Sequence, residues 1–390
     1  MNTNLLIIGA GPFGLAMAAH AKHLGIDFIM VGKPMEFWKM NMPEGMYLRS
    51  ACDWHLDPKN EHTIERFLST QHLAPADVEP LSRNFYLSYT EWFQKQKQIT
   101  ALPVYVDRLD YADNYKYYAV TDEGDIITAN NVVIALGFKY FKHIPPEFEN
   151  IFPQDACSHT CDLTDMKSMQ YKRCLILGGR QSAFEWAALL AEAGAETIYI
   201  SHRHKSPEFM ASDWSWVNPI VDNIVHEPGW FRNLAAEEKD LLSKKLWEEG
   251  RLKIEPWLEK RVMKDNVKLL PYTEIIAGKK LPKGELEVAF NNGVTITVDH
   301  IIFATGYKAV ISKVPLLARG NILSKLAIQN NFPVLNEYFQ TNMPGLFITS
   351  MPASQDFGPF FGFTIAVRTS AKLIGEALNM LSQKNMQPVS

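Results

Sequence analysis

Two stretches of this chain share one layout: an apolar strand, a glycine-bearing turn and an alanine-rich helix. The first, "LLIIGAGPFGLAMAAHAKHLGIDFIMVGKP", starts at Leu5; the second, "CLILGGRQSAFEWAALLAEAGAETIYISHR", starts at Cys174. Leu5 to Ile8 is apolar throughout, as a strand buried on both faces requires. Leu15 to Leu24 reads as a helix ended by Gly25, and Phe28 to Val31 as the next strand. Strand, helix and strand in that order make a β-α-β unit, so the chain must carry parallel sheet covered by helices. Few other features narrow the fold as much.

The glycine spacing says what such a turn holds. A pyrophosphate needs unpaired backbone N–H groups and a positive dipole end, and a helix N-terminus supplies both. Gly9 permits the tight turn off the strand, Gly11 lets backbone approach the phosphates, and Gly14 lets the helix pack on the sheet. Pro12 and Phe13 complete that loop. An acid about 20 residues on normally accepts the ribose hydroxyls. Here "FIMVGKP" offers Gly32 and Lys33 instead, with Glu36 nearby but off register. The ribose would then be held by backbone or by Lys33.

In the second unit Gly178 fills the first glycine position, Arg180 the second and Ala183 the third, with Gln181 and Ser182 at the helix start. A side chain at position 180 crowds the route of a pyrophosphate. Two readings stand: a degenerate structural domain, or a guanidinium that pairs with a phosphate and replaces backbone approach by charge. At the end of the next strand, "YISHRHKS" sets His202, Arg203, His204 and Lys205 where the adenosine ribose would lie. That cluster suits a 2′-phosphate, hence NADPH over NADH.

The rest of the chain repeats the architecture more than the letters. Val104 to Ala129 alternates apolar and polar residues around turns at Asp113-Asn114 and Glu123-Gly124, which reads as an antiparallel meander, and an apolar strand, Val132 to Leu136, stops at Gly137. "ELEVAFNNGVTITVDHIIFATGY" follows the same logic around Asn291-Asn292-Gly293 and ends at Thr305-Gly306. Helices are expected over Thr63–Ser69 and Tyr89–Gln98. Residues 207–262 hold five tryptophans (Trp214, Trp216, Trp230, Trp247, Trp257) among helical patterns. This insertion reads as a lid over an apolar substrate or as a cap that buries its own core or a dimer face.

Composition excludes several classes. With 390 residues, 47% hydrophobic and 21% charged, the chain is an ordinary globular protein of about two domains. Net charge is -4 with no basic run, so nucleic acid and anionic membrane are not expected partners. Four cysteines (Cys52, Cys157, Cys161, Cys174) fit neither a disulfide framework nor a C-x-x-C dithiol centre. No zinc-ligand spacing is present, so no metal is expected. No signal peptide or apolar run of about 18 residues is present, so a cytoplasmic, non-membrane protein is expected.

Taken together, "GAGPFGL", "GGRQSAFE", "SHR" and "FATGYKA" resemble the flavin-dependent monooxygenases with two dinucleotide-binding domains. That superfamily includes the class B flavin-containing monooxygenases, the Baeyer–Villiger enzymes and the lysine/ornithine N-hydroxylases. The resemblance implies an α/β fold with two Rossmann-like domains, the second nested in the first, each with a small antiparallel meander. Residues 1–168 and 300–390 would bind FAD and residues 169–299 NADPH. Along FAD it implies Gly9, Gly11, Pro12, Phe13 and Gly14, then Trp38 and Arg49, domain crossings at Gly137 and Gly306, and a helix start near the ring in "FGPFFGF", with Gly358 and Phe360. The family's F-x-G-x-x-x-H signature is incomplete: "FPQDACSHTCDL" keeps His159 but lacks the glycine.

The implied chemistry belongs to the cofactors. NADPH gives a hydride to FAD, reduced flavin forms a hydroperoxide with molecular oxygen, and one oxygen atom passes to a small amine, thioether or ketone. Trp54, His55, Gln355 and Asp356 are pocket candidates by position alone. A homodimer is the assembly to consider. The rival readings are an NAD(P)H-dependent reductase of the thioredoxin reductase type, a flavin halogenase and a non-catalytic nucleotide sensor.

Overall fold

The computed structural model describes residues 1–112, 116–149 and 151–386. The expected turn at Asp113-Asn114 lies outside the described residues.

The first unit forms as read. Strands β1 (Asn2–Ile8) and β2 (Phe28–Val31) pair in parallel and flank the helix Pro12–His23. After β3 (Val106–Tyr111) and β4 (Tyr117–Thr121), the chain enters β5 (Ile126–Ile134). The sequence suggested a last meander strand and a separate return strand, but β5 is one continuous strand with two jobs. Its first half pairs antiparallel with β4, and it also runs parallel to β1. Nothing between Ala129 and Val132 breaks an extended chain: Asn130 and Asn131 anchor to Asn4 instead. The helix expected over Tyr89–Gln98 begins at Arg83, because the Ser82 hydroxyl accepts from the Phe85 N–H at 3.1 Å and caps it.

The second sheet contains β6 (Cys157–His159), β7 (Arg173–Leu177) and β8 (Thr197–His202), with the helix Gln181–Glu192 between the last two. A short parallel pair, β9 (Glu208–Phe209) and β10 (Lys253–Ile254), brackets most of the insertion. Then come β11 (Val267–Pro271), the antiparallel meander β12 (Ile275–Lys280), β13 (Leu286–Phe290) and β14 (Thr295–Val298), and β15 (His300–Phe303). The order β11-β8-β7-β15-β6 is parallel throughout. Hence β6 and β15 both lie in the second sheet, outside the 169–299 boundaries read from the sequence. An apolar run that stops at glycine looks the same whichever sheet it joins; only pairing distinguishes them.

A hairpin of β16 (Ile328–Gln329) and β17 (Phe332–Pro333) precedes β18 (Leu346–Ile348), which returns to the first sheet beside β5. The long helix Val367–Met386 packs on Pro12–His23, where a Cβ on Gly375 would meet the His20 ring. Register aligns the strand ends: Ile8 sits opposite both Val31 and Ile134, and Ile134 opposite Ile348. Leu177 likewise sits opposite Ser201 and Phe303. Each sheet therefore presents one row of carboxyl ends, the place where open α/β sheets bind ligands.

The insertion divides its allegiance. Val217, Val221 and Ile224, on or next to the helix Val217–Asn223, are buried in the core of the first unit, and Trp216 meets Phe360 edge to face at 5.5 Å. Ile254, Leu258 and Val262 join the core around Gln181–Glu192. The segment is thus a clamp across both units, not a cap with a separate core. Among the described residues, no helix is long and apolar enough to cross a membrane.

Candidate functional site

A cavity of about 990 Å³, its mouth included, opens at the carboxyl ends of β1, β2, β5 and β18. Gly9, Gly11, Pro12 and Phe13 line its floor, Lys33, Glu36 and Tyr105 one flank, and Trp38, Gly137, Ser350, Gly362 and Thr364 the remainder. Gly9 has φ +116°, and a Cβ there would overlap the Ala135 carbonyl. A Cβ on Gly14 would overlap the carbonyl of Gly9, so Gly14 serves packing under the cavity rather than lining it. Gly11 is different. Its backbone is extended and a Cβ would meet nothing within 4 Å, because it would project into open space. That is the cradle a phosphate needs: no side chain caps the helix start, so the first N–H groups keep their donors for a ligand.

Glu36 supplies what the end of β2 lacks. It opens the helix Glu36–Met40 and points its carboxylate into the flank of the cavity, with Lys139 Nζ at 3.3 Å and Lys33 Nζ at 4.0 Å. Burial acts to raise its pKa, but hydrogen bonds from Tyr105 and Lys139 outweigh it and hold the group below its ordinary value. Lys33 and Lys139 also lie over the Tyr105 ring, at 5.3 and 3.9 Å. The off-register acid is therefore in the site, delivered by a helix rather than a strand end. Trp38 stacks on Tyr86 at 4.7 Å and is held rigid at the cavity wall.

The second turn copies the first. Gly178 has φ +144°, and a Cβ would come within 2.5 Å of the Ala304 carbonyl. Gly179 backs onto the buried His202 ring. Ala183 is buried at the third position. Arg180 caps nothing; its guanidinium lies 3.4 Å over the Trp247 ring, with Nη1 buried and without a partner. Burial, then the charges of Arg251 and Arg203, push its pKa down to about 10. Gln181 Oε1 accepts from the Glu255 N–H at 3.1 Å, while its Nε2 is buried without a partner. Ser182 is exposed beside it, and Arg203 is exposed at the end of β8. Burial, then His204, lowers the His202 pKa to about 4, so its ring is neutral. Arg203 and Arg251 lie close enough for their charges to act on Arg180 at this turn.

Other expected residues sit elsewhere. The Arg49 side chain does not line the cavity; it pairs with Glu255 at 2.8 Å, bonds the Gly250 carbonyl and Ser212, and lies over Trp214. The insertion's carboxylate draws it across to the second unit. Gly358 (φ +102°) backs onto Phe231, and Phe360 is fully buried, so Gly362 and Thr364 take the lining role expected of that loop. The Thr305 hydroxyl donates to the His143 carbonyl, and the Gly306 carbonyl accepts from the His143 N–H at 3.0 Å and meets His159 Nε2 at 3.0 Å, which fixes the crossing between the units away from the cavity lining. Asp356 accepts from the Leu335 N–H at 2.8 Å and faces Arg232, and Gln355 stands beside it in the short helix Ser354–Phe357. Trp54 Nε1 donates to Asn218 Oδ1 at 3.0 Å, and His55 Nε2 lies 2.7 Å from Arg368. Burial, then Arg368, lowers the His55 pKa to about 3. None of these four residues lines the cavity.

Among the described residues, Asp57, Glu61 and His62 bring their ligand atoms together. Lys97 Nζ lies 2.9 Å from both carboxylates, and Asp57 accepts from three backbone N–H groups, so the cluster has an internal cation. All four thiols are free. Burial, foremost, pushes Cys161 up to about 11 and Cys52, Cys157 and Cys174 up to about 12.

Comparisons with known proteins bear on the family and the fold. The family described as pyridine nucleotide-disulphide oxidoreductase matches residues 6–229. Putrescine N-hydroxylase of Acinetobacter baumannii is 27% identical over 223 residues, 53% of this chain and 49% of that protein. A ferredoxin–NADP reductase of Paraburkholderia phymatum is 23% identical over 224 residues, 56% of this chain and 55% of that one. The chain spans about half the length of these curated relatives. The ornithine N-hydroxylase of Kutzneria sp. 744 superposes with a TM-score of 0.79 at 12% identity, covering 98% of this chain and 100% of that one; the fold is shared end to end.

Proposed function

We propose, from the premise that this chain belongs to the pyridine nucleotide-disulphide oxidoreductase family, that it is a flavin-dependent, NADPH-consuming monooxygenase acting on a small amine. The carrying observation is the pair of matched phosphate cradles, one open at Gly11 and one guarded by Arg180, in a chain whose thiols are all buried or half-buried and held protonated. A dithiol reductase needs a reactive thiolate, and a thiol shifted upward by burial is a poor one. The relative that hydroxylates putrescine supports an amine as substrate.

The residues of the first cavity fit FAD. The N–H groups at the start of Pro12–His23 would take the pyrophosphate, Glu36 and Lys33 the ribose, and Trp38, Gly362 and Thr364 the ring. Around the second turn, Arg180, Arg203 and the polar groups of Gln181 and Ser182 would hold the phosphates of NADPH. When bound, the two cofactors supply hydride transfer and oxygen activation. The chain's own work is to orient them and exclude water. Trp216, Val217 and Val221 of the clamp pack into the core of the first unit, Trp216 against Phe360.

Stopped-flow reduction of the purified flavoprotein with NADPH and with NADH, followed by oxygen and a panel of diamines, tests this. The expected result is faster reduction by NADPH and one hydroxylated amine per NADPH consumed. Hydrogen peroxide as the sole oxygen product with every amine, together with turnover of an electron-carrier protein, would favour a reductase, the reading the ferredoxin–NADP reductase match supports.

A further inference from the structure

We propose that Trp247, carried on the insertion helix Ala236–Arg251, is a gate on the second turn, closed in this structure, which a nicotinamide nucleotide must lift off Arg180 in order to bind; this rests on the reading of that turn as the NADPH site. The two turns show the difference. At Gly11 the space that a Cβ would enter is open. Arg180 holds the same position with the same extended backbone, and its guanidinium carbon lies 3.4 Å from the centre of the Trp247 ring. Its Nη1 is buried and has no hydrogen-bond partner. Stacking covers a face of a guanidinium and leaves its in-plane N–H groups in need of an acceptor. A donor that water does not reach is not reached by a phosphate either, so a ligand gains Nη1 only after its cover moves. Gln181, the next residue, is in the same state: Nε2 is buried without a partner, while Oε1 is tied to the Glu255 N–H of the same insertion. The closed arrangement therefore leaves two donors unsatisfied at one helix start, which is unfavourable.

The helix that carries Trp247 is lightly held. Of its 16 described residues only Leu246 is buried, in the core of the first unit. Lys245 Nζ lies over the Trp216 ring at 4.4 Å, and Lys239 Nζ donates to the Arg232 carbonyl at 2.9 Å. The far end is fixed: the Gly250 carbonyl accepts from Arg49 at 2.7 Å, and a Cβ on Gly250 would meet the Trp214 ring at 2.7 Å. An element with so little buried apolar surface opens at low free energy, so the helix can tilt about its Gly250 end and take Trp247 with it. A cation–π contact at a half-exposed ring shifts such an equilibrium about two- to five-fold toward the closed form, and a closed form that excludes ligand lowers the apparent affinity by the fraction left open.

The test titrates the flavin-loaded full chain with NADP⁺. Trp247→Ala should tighten NADP⁺ about two- to five-fold, and Trp247→Phe, which keeps a weaker aromatic face, should fall between that variant and the unaltered protein. A residue that merely supported the turn or stacked on the nucleotide would move the affinity the other way. In the unaltered protein, hydrogen exchange should quicken over residues 236–248 when NADP⁺ is added and slow over residues 180–184; this readout stands even if the alanine variant does not fold. Weaker or unchanged NADP⁺ binding in the variants, or slower exchange over 236–248 with NADP⁺, would overturn the gate while leaving the nucleotide reading intact. No NADP⁺ binding by the unaltered protein or by either variant would overturn both.

Discussion

The two glycine turns are built to one plan, share the first glycine and part at the second and third, Gly11 against Arg180 and Gly14 against Ala183. Gly9 and Gly178 share positive φ, and each is pressed against a carbonyl, Ala135 or Ala304, on the neighbouring strand. Each is followed by a 12-residue helix with no side-chain cap. The middle position is Gly11 in one and Arg180 in the other, and both adopt extended backbone that any residue tolerates. The first glycine is therefore demanded by the sheet and survives in both units. The second answers only to what lies outside the fold, and there the units diverge.

The largest effect should fall where the units agree. Gly9→Ala and Gly178→Ala each force a Cβ into a backbone carbonyl at a φ that disfavours it, and each should cost about 2–4 kcal/mol by chemical denaturation. Gly11→Ala, with room for its Cβ, should leave stability unchanged and weaken FAD alone. Equal destabilisation by all three would break the comparison.

Next comes the middle position. Arg180→Ala should raise the KM for NADPH by about 10- to 100-fold, the scale of a lost charge-assisted bond, with FAD retained. An unchanged KM would return Arg180 to a structural role on Trp247.

A third test concerns the contact between the units. Glu185, on the second unit's helix, is fully buried and accepts from the Tyr47 N–H at 2.8 Å. Burial raises its pKa to about 8. A group raised on folding stabilises fully below its unfolded pKa, and that contribution is lost as pH rises through the folded value. Stability attributable to Glu185 should thus fall between about pH 4.5 and pH 8. Glu185→Gln keeps an acceptor for Tyr47 and should flatten that slope, gaining on the order of 2 kcal/mol at pH 8. A parallel slope in both proteins would assign the pH dependence elsewhere.

The smallest effect is expected at Trp247, which is 48% exposed beneath Arg180. Trp247→Leu removes the cation–π contact and should cost about 0.5–1 kcal/mol of stability. An equal loss in an Arg180→Ala background would mean that the ring acts independently of the guanidinium.

Much of the fold was legible because its signals are local. Apolar runs of strand length, glycines where backbone crowds backbone, and alternating meanders need only neighbouring residues to be recognised. The glycine turn at Gly9–Gly14 could be read for the same reason. Glu36 was harder: it is three residues past Lys33, and only the helix it opens turns its carboxylate into the cavity.

By itself the sequence determined that there are two β-α-β units with ligand turns, that each has a meander, and that the second turn is cationic. Tertiary structure alone decided that β6 and β15 join the second sheet, that Val217 and Val221 bury in the first unit, and that Arg49 reaches Glu255 rather than the cavity. The physical reason is range. Hydrogen-bonded period and steric need are written into adjacent residues, whereas an apolar strand or helix face pairs with whichever distant surface best excludes water, and the strip of sequence that carries it does not name that surface.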